Sequence, residues 1–126
     1  MPDFLFGLRF PDGSRRCFMV EIDRGTMPIS RSDLSQTSFA LKMRAYLAAH
    51  AAGQHQQSYG WKAFRVLTIT TDQNRIASMA DALRQMPTPR GPGASLFLFA
   101  TRNTLNANDP LQHEWHDGND RATMLI

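Results

Sequence analysis

The 126-residue sequence contains a single cysteine, Cys17, and no apolar run long enough to cross a membrane. One thiol cannot form a disulfide within the chain, which predicts a reducing, cytoplasmic compartment. A membrane-spanning helix needs roughly 18 or more consecutive apolar residues, and the N-terminus lacks the basic and then apolar layout of a signal peptide. The sequence therefore predicts no membrane partner.

Lysine is also scarce. Only two of the fourteen basic residues are lysines and twelve are arginines, against eleven acidic residues, for a net charge of +3. Arginine makes bidentate contacts with phosphate, so this balance is compatible with a DNA partner. GC-rich coding would produce the same arginine bias, and composition alone leaves both explanations open.

Length and composition fit one domain over residues 1–126. The hydrophobic fraction is 42% and the charged fraction 20%, which are ordinary values for a globular protein. The first apolar run begins almost at Met1, which is what the C-terminal part of a longer protein would show.

Two alternating apolar runs open the chain and predict a hairpin. Phe4, Phe6, Leu8 and Phe10 form the first run, and Phe18, Val20 and Ile22 the second. The Pro-Asp-Gly-Ser cluster at 11–14 between them has turn chemistry, with Asp12 as a turn residue. If both apolar sets face one core, Phe4 must lie near Val20 or Ile22.

That register brings three carboxylates together at the open end of the hairpin. Asp3 then lies level with Glu21 or Asp23, on the face opposite the apolar sets. Carboxylates this close repel one another unless a cation or a proton intervenes, so the cluster is a candidate metal site.

The remaining elements follow from periodicity and breakers. A helix is expected over 33–52, capped by Ser30, Ser32 or Asp33, and a loop over 53–60. We expect a strand over 62–70, a helix capped by Thr71 or Asp72 and ending near Met86, and a buried strand over 95–100. Then come a polar connection over 101–110, a strand or helical turn over 111–116, a turn at 117–120 and a last strand over 122–126. The order is β-β-α-β-α-β with a terminal hairpin, an α/β fold with a mixed central sheet flanked by helices.

With the acidic residues at these positions, the chain resembles the PD-(D/E)xK nucleases, which implies a restriction-endonuclease-like core. The resemblance implies that Asp3, Glu21 and Asp23 bind Mg²⁺ or Mn²⁺, with Asp3 and Glu21 catalytic. Asp23 stands where these nucleases carry a lysine. Lys42, which shares a helix face with Tyr46 four residues later, would replace it as the catalytic cation.

A closer resemblance is to the replication-relaxation family of bacterial and plasmid proteins. It rests on the segment Glu-Ile-Asp-Arg-Gly-Thr at 21–26, on the helical segment 41–46, and on the later segments 66–83, 95–101 and 109–115. Membership implies a role in plasmid replication or transfer and an association with DNA, with plasmid replication or transfer proteins as further partners.

Several residues carry two interpretations. Arg24 either contacts a DNA phosphate or neutralises Asp23, while Lys42 and Tyr46 are the other expected DNA contacts. His113 and His116 have a spacing that zinc sites use, but without further ligands we interpret them as surface residues. Trp61 and Trp115 are expected to pack in the core rather than to stack on bases, and Cys17 to serve packing.

Three functions remain open from the sequence. The first is a metal-dependent DNA endonuclease of plasmid or mobile-element replication. The second is a catalytically inactive nuclease-fold module that binds DNA or another protein, which the missing strand lysine favours. The third is a homodimerisation domain whose contact surface includes the aromatic hairpin.

Overall fold

The computed structural model describes residues 2–25, 38–86, 93–107 and 109–125. These residues form six strands and four α-helices, with a short 3-10 turn at Gly93–Leu96. The strands are β1 (Phe4–Arg9), β2 (Arg15–Ile22), β3 (Arg65–Thr70), β4 (Phe97–Thr101), β5 (Trp115–Asp117) and β6 (Ala122–Thr123). The helices are α1 (Phe39–Ala51), α2 (Gln54–Tyr59), α3 (Gln73–Arg84) and α4 (Arg102–Ala107).

The six strands form one mixed sheet in the order β1-β2-β3-β4-β5-β6. The three central strands, β2, β3 and β4, are parallel, and β1, β5 and β6 run antiparallel to their neighbours. The parallel connections carry helices, as parallel strands require. The predicted α/β class with a mixed sheet flanked by helices is confirmed.

The opening hairpin has the predicted register. Phe4 pairs with Val20, and the pairing continues to Arg9 opposite Arg15. The turn closes as expected: the Asp12 carboxylate accepts hydrogen bonds from the backbone N–H of Ser14 (2.9 Å) and from its hydroxyl (2.6 Å), and Gly13 has a φ of 88°. Glycine suits this position because a side chain is strained at positive φ.

Helices and loops cover both faces of the sheet, so two apolar cores form. One contains Met19, Val66 and Phe97 beneath α1 and α3. The other contains Val20, Leu67 and Leu98, and is covered by Leu105 of α4 and by Leu111 and Leu125. Strand β2 is therefore buried on both sides, and the face that carries Glu21 is a second core face rather than an open one.

The predicted inward face of the hairpin is only partly buried. Phe18 and Val20 are buried as expected, but Phe4 remains 60% exposed and Ile22 39% exposed. Strand β1 is the edge of the sheet, and these two residues lie near its open end. Burial of Phe4 is limited because, among the described residues, β1 has no neighbouring strand on its outer side.

Helix α1 begins at Phe39, later than residue 33. Ser38 has an extended backbone, and its hydroxyl accepts a hydrogen bond from the N–H of Leu41 (3.2 Å), so it is the N-cap. The predicted caps Ser30, Ser32 and Asp33 lie outside the described residues. Ser38 was not chosen as the cap from the sequence, because the apolar periodicity continues on both sides of it.

The expected loop at 53–60 is wrong, because residues Gln54–Tyr59 form helix α2. Glycines with positive φ, Gly53 at 71° and Gly60 at 70°, bound it at both ends. His55 is buried within it and stacks on His50 at 4.9 Å between ring centroids. Tertiary packing of this ring stabilises a helix too short to persist on propensity alone. Strand β3 then begins at Arg65, not at residue 62.

The C-terminal third differs from the sequence expectation in two places. The predicted strand 95–100 begins as a 3-10 turn, and β4 covers only Phe97–Thr101. The predicted polar connection over 101–110 contains helix α4, in which Leu105 packs on the second core. The terminal hairpin is present but short, as strands β5 and β6 joined by the predicted turn.

In the described part of the chain, no helix is both long enough and apolar enough to cross a membrane.

Candidate functional site

The predicted acidic residues lie where β2 and β3 reach their carboxyl ends. Because side chains alternate along a strand, Glu21 and Asp23 both face the layer of α1 and α3, and Ile22 and Arg24 face the other side. Glu21 is beside Thr68 in the strand pairing. This end of a parallel sheet is the usual place for ligand sites in α/β folds.

Glu21 is buried, with an exposed fraction of 2%, and helix α1 supplies its partners. The Tyr46 hydroxyl donates a hydrogen bond to Oε1 at 2.6 Å, and the Lys42 ammonium lies 3.5 Å from Oε2. Lys42 and Tyr46 reach the same carboxylate because residues four apart share a helix face. Phe39 and Met43 on α1 are buried in the first core and fix this face toward the sheet.

Tyr46 is held as a neutral donor. Burial, the hydrogen bond to Glu21 and the negative charges of Glu21 and Asp3 all raise the pKa of the Tyr46 phenol far above its ordinary value. Each cause disfavours a second negative charge at this place. The hydroxyl therefore stays protonated and donates to Glu21 throughout the physiological range.

Asp23 is paired with α3 instead of with Glu21. The guanidinium of Arg75 makes a two-point contact with the Asp23 carboxylate, through Nε to Oδ2 and through an Nη atom to Oδ1 at 3.0 Å. The Thr70 hydroxyl donates to Oδ2 at 2.7 Å. Burial opposes ionisation of Asp23, but these hydrogen bonds and the guanidinium charge outweigh it and lower its pKa.

Arg24 does not neutralise Asp23, so that interpretation is corrected. Arg75 takes the role, and Arg24 is exposed on the other side of the sheet. There it lines a shallow cavity of about 580 Å³ together with Ile22, Ile69 and Arg102. Arg24 is therefore separated by the sheet from Glu21, Lys42 and Tyr46.

Asp3 closes the open end of the hairpin. Its Oδ2 accepts a hydrogen bond from the backbone N–H of Ile22 at 2.8 Å, and its own N–H donates to the Val20 carbonyl at 2.9 Å. The register places it level with Glu21, and its charge contributes to the raised pKa of Tyr46. Asp3 thus lies close to the Glu21 centre but, unlike Glu21, is exposed.

Carboxylate oxygens are the ligands that Mg²⁺ prefers. In this structure, five of the six carboxylate oxygens of Asp3, Glu21 and Asp23 already have protein partners. Both Glu21 oxygens are engaged by α1, both Asp23 oxygens by Arg75, and one Asp3 oxygen by the backbone. Over residues 2–25, 38–86, 93–107 and 109–125, no group of three or more His, Cys, Asp and Glu side chains is placed to hold a metal.

Four other residues follow the sequence interpretation, whereas His113, which was expected at the surface, is only partly exposed and packs edge-on against Trp115 at 5.9 Å between ring centroids. Trp115 is a core residue whose indole N–H donates to the Pro110 carbonyl at 3.0 Å, and Trp61 is buried in the first core. Cys17 is buried, and burial raises the pKa of its thiol. His116 is exposed, and its Nε2 lies 3.7 Å from the Glu114 carboxylate.

Sequence reasoning missed Arg75, Thr70 and Thr68. Arg75 lies three residues after the Asp72 cap of α3, and that helix follows β3 directly, so its first turn lies over the sheet end that carries Asp23. This connectivity was a usable signal. Thr68 is fully buried beside Glu21, and its hydroxyl has no hydrogen-bond partner among the described residues.

The fold and this site define an α/β protein with a mixed six-stranded sheet and buried, cation-paired carboxylates at the ends of its parallel strands. No protein-family model matches the sequence, and neither the curated proteins nor the solved structures include a detectable match.

Proposed function

We propose that this domain is a nuclease-like α/β module that binds DNA without cleaving it, in plasmid or mobile-element replication or transfer. The observation that carries the proposal is that the buried carboxylates of Glu21 and Asp23 already have partners within the protein. Glu21 lies beside the Lys42 ammonium and accepts a hydrogen bond from the Tyr46 hydroxyl, and Asp23 is paired with Arg75.

These pairs have a structural role that explains their burial. Each links the sheet to a different helix: Glu21 to α1 and Asp23 to α3. A buried charge is tolerated only when it is paired and hydrogen-bonded, and breaking such a pair is costly. The cations Arg75 and Lys42 already balance these charges, so the carboxylates serve better as anchors than as metal ligands.

The DNA partner rests on different support. The chain carries fourteen basic residues, twelve of them arginines, and resembles the replication-relaxation family through the motif at 21–26. The hairpin followed by α1, β3, α3 and β4 is compatible with a restriction-endonuclease-like core. Under this proposal the nuclease architecture is kept as a scaffold and its acidic centre is converted to ion pairs.

One observation favours the competing function, a Mg²⁺- or Mn²⁺-dependent endonuclease. The Lys42 ammonium lies beside Glu21, with Asp3 level with it, which is the residue set that the nuclease resemblance implies. In the catalytic assignment of Asp3, Glu21 and Lys42, the carboxylates of Asp3 and Glu21 would hold the metal and Lys42 would keep its place beside Glu21.

The deciding experiment measures binding and cleavage on the same protein. Single-stranded, duplex and supercoiled DNA are incubated with wild type and Glu21→Gln, with Mg²⁺, with Mn²⁺ and with chelator. We expect DNA binding that weakens steeply with salt, as phosphate contacts require, and intact DNA throughout. Metal-dependent nicking by wild type that Glu21→Gln abolishes would overturn the proposal in favour of the endonuclease.

Thermal melting with Mn²⁺ gives a second readout that does not depend on finding a substrate. A ligand that binds only the folded state raises the melting temperature by mass action. We expect no shift for wild type. A Mn²⁺ shift that disappears in Glu21→Gln would establish a metal centre at Glu21.

The homodimer prediction has a separate test. Edge strand β1 exposes Phe4 and Leu5, and edge strands pair readily with other strands. Sedimentation over a range of protein concentrations, with Phe4→Ser as the comparison, measures whether this edge associates.

A further inference from the structure

A second surface lies at the other end of the parallel strands. It is a cleft with a cavity of about 980 Å³, formed by the start of β2, the segment that leads into β3, and Thr123 and Met124 near the C-terminus. Arg15 at the start of β2 is six residues from Glu21, or about 20 Å along an extended strand. The cleft is therefore distinct from the carboxylate centre, which is the site formed by Asp3, Glu21 and Asp23.

Among the described residues, those that line the cleft include four cations and no acidic side chain. Its basic residues are Arg15, Arg16, Lys62 and Arg65. None of them forms an ion pair with an acidic residue in the described part of the chain. The nearest acid along the chain, Asp12, bonds back to Ser14 within the turn. His50 also lines the cleft, but burial and the neighbouring His55 lower its pKa, so it adds no charge at neutral pH.

The strand pairing concentrates this charge further. Arg9 lies directly opposite Arg15 in the hairpin, and like charges at directly opposed positions are destabilising. Arg16 is steadied by a hydrogen bond to the Leu125 carbonyl (3.0 Å) and lies 5.1 Å from the ring centroid of Phe10. These contacts orient the guanidinium without neutralising it. An anion bound in the cleft would relieve the repulsion among the cations.

Aromatic rings accompany the cations. Trp61 lines the cleft, and Tyr59, 45% exposed at the end of α2, lies with its ring centroid 5.1 Å from that of Trp61. An exposed ring beside a basic groove is the arrangement by which proteins hold single-stranded nucleic acid, since unstacked bases can lie on the ring while the backbone follows the cations. Duplex DNA offers no free base face for such a contact.

We propose that this cleft binds single-stranded DNA, with Arg15, Lys62 and Arg65 on the phosphodiester backbone and Tyr59 as a stacking surface for a base. The inference rests on the proposed function for the identity of the nucleic acid. Beyond that function, the inference identifies the surface that binds the DNA and states that the bound DNA is single-stranded. The carboxylate centre takes no part in binding.

The test is fluorescence anisotropy with a labelled oligo-dT strand of about 20 nucleotides, a length that suits a groove-binding module. Wild type is compared with Arg15→Ala/Arg65→Ala and with a matched control, Arg24→Ala/Arg102→Ala. The control removes the same charge from the exposed pair at the other end of the strands. Circular dichroism and melting establish that each variant is folded.

We expect the cleft variant to bind about 10- to 100-fold more weakly and the control to change less than about threefold. The slope of log K against log salt should fall by about 1.4 in the cleft variant, since each lost contact to a single strand contributes about 0.7. Arg15→Lys/Arg65→Lys keeps the charge and should retain most of the slope. Tyr59→Ala should weaken single-strand binding but leave the slope unchanged.

The outcomes separate the two proposals. If wild type binds DNA and the cleft variant binds equally well, the cleft assignment is overturned and the proposed function stands. If the control loses affinity instead, the DNA surface is at Arg24 and Arg102. If duplex of the same length binds as tightly as the single strand, the single-stranded form is wrong. If wild type binds neither form at low salt, both proposals fail.

Discussion

The hydroxyl of Tyr46 donates a hydrogen bond of 2.6 Å to Oε1 of Glu21, and this contact joins α1 to β2 across the first core. The donor comes from a residue that the sequence placed near the acids as a DNA contact. Its role in the structure is internal. The same hydroxyl cannot be offered to DNA while it satisfies a buried carboxylate, because losing it would leave a charged oxygen without a donor.

Replacing Tyr46 by Phe tests this contact. A hydrogen bond to a charged group contributes about 1.5–3 kcal/mol, and we expect Tyr46→Phe to lower the free energy of unfolding by that amount. Urea denaturation measures it. Tyr59→Phe is the matched control: this tyrosine is exposed, and its loss should stay within about 0.5 kcal/mol. Equal stability of Tyr46→Phe and wild type would mean that the hydroxyl does not stabilise Glu21.

The two single substitutions in the Asp23–Arg75 pair are expected to lower the free energy of unfolding by different amounts. The Asp23 side chain is 3% exposed and that of Arg75 14%, so Arg75→Ala leaves the more deeply buried charge alone. We expect each single substitution to cost about 3–5 kcal/mol, with Arg75→Ala the more severe. The double variant should cost less than the sum of the two, because the pair is lost only once.

An exposed ion pair in the same helix, α3, provides a comparison for the coupling energy between Asp23 and Arg75. Arg84 and Asp81 lie 3.9 Å apart with side chains 47% and 66% exposed. Their coupling in the same double-mutant analysis should be only about 0.2–1 kcal/mol. A coupling between Asp23 and Arg75 no larger than this would contradict the assignment of their pair as a buried anchor.

Local sequence patterns predicted part of this fold. The hairpin register followed from the alternation of Phe4 to Phe10 and Phe18 to Ile22, because a one-residue slip would reverse both faces. The Asp72 cap of α3 followed from local chemistry. Helices α2 and α4 were missed, since each is stabilised by one side chain that packs against distant residues. In α2 this is the buried His55, and in α4 it is the partly buried Leu105.

The sequence predicted which of these side chains lie together but not all of their partners. Strand parity placed Glu21 and Asp23 on one face, and helix spacing placed Lys42 and Tyr46 together. The partner of Asp23, Arg75, was missed because it depends on the connection from β3 into α3 and not on the pattern within one element. The basic cleft was missed for the same reason. Arg15 and Arg65 are fifty residues apart, and the parallel pairing of β2 with β3, in which Arg65 lies opposite Phe18, brings them to the same end of the sheet.

Acid should weaken the fold partly through Asp23. Its pKa is lower in the folded protein than the ordinary value of 3.8, so the folded state binds this proton less tightly than the unfolded chain. The stabilisation is therefore fully present above the ordinary value and is lost as pH falls through the lowered folded value. We expect unfolding free energies measured between about pH 6 and pH 2.5 to fall less steeply in Asp23→Asn than in wild type.

The control for these measurements at acidic pH is Asp81→Asn, which removes an exposed carboxylate from α3. Its stability profile should run parallel to that of wild type. Parallel profiles for Asp23→Asn and wild type would show that Asp23 carries no altered pKa, and would contradict its pairing with Arg75.

Gly118 predicts a steric effect in the turn between β5 and β6. A Cβ there would lie 2.6 Å from the Ala94 carbonyl oxygen and 2.8 Å from a Leu83 methyl carbon, closer than atoms can pack. The backbone is also fixed from both sides, because the Gly118 N–H donates to Ala94 at 3.1 Å and its carbonyl accepts from Arg84 at 3.0 Å. Gly118→Ala should therefore cost about 1–3 kcal/mol, the usual range for overpacking.

Gly7→Ala in β1 is the control for Gly118→Ala. Its nearest neighbours to a new Cβ are the Arg16 carbonyl oxygen at 3.7 Å and the Cys17 sulfur at 3.8 Å, which is ordinary contact. Gly7→Ala should leave stability unchanged or raise it slightly, since alanine loses less backbone entropy on folding. Thermal melting of both variants measures the difference. A Gly118→Ala protein as stable as Gly7→Ala would mean that the 3-10 turn at Gly93–Leu96 is not packed against Gly118, and that the C-terminal hairpin is free to move away from α3.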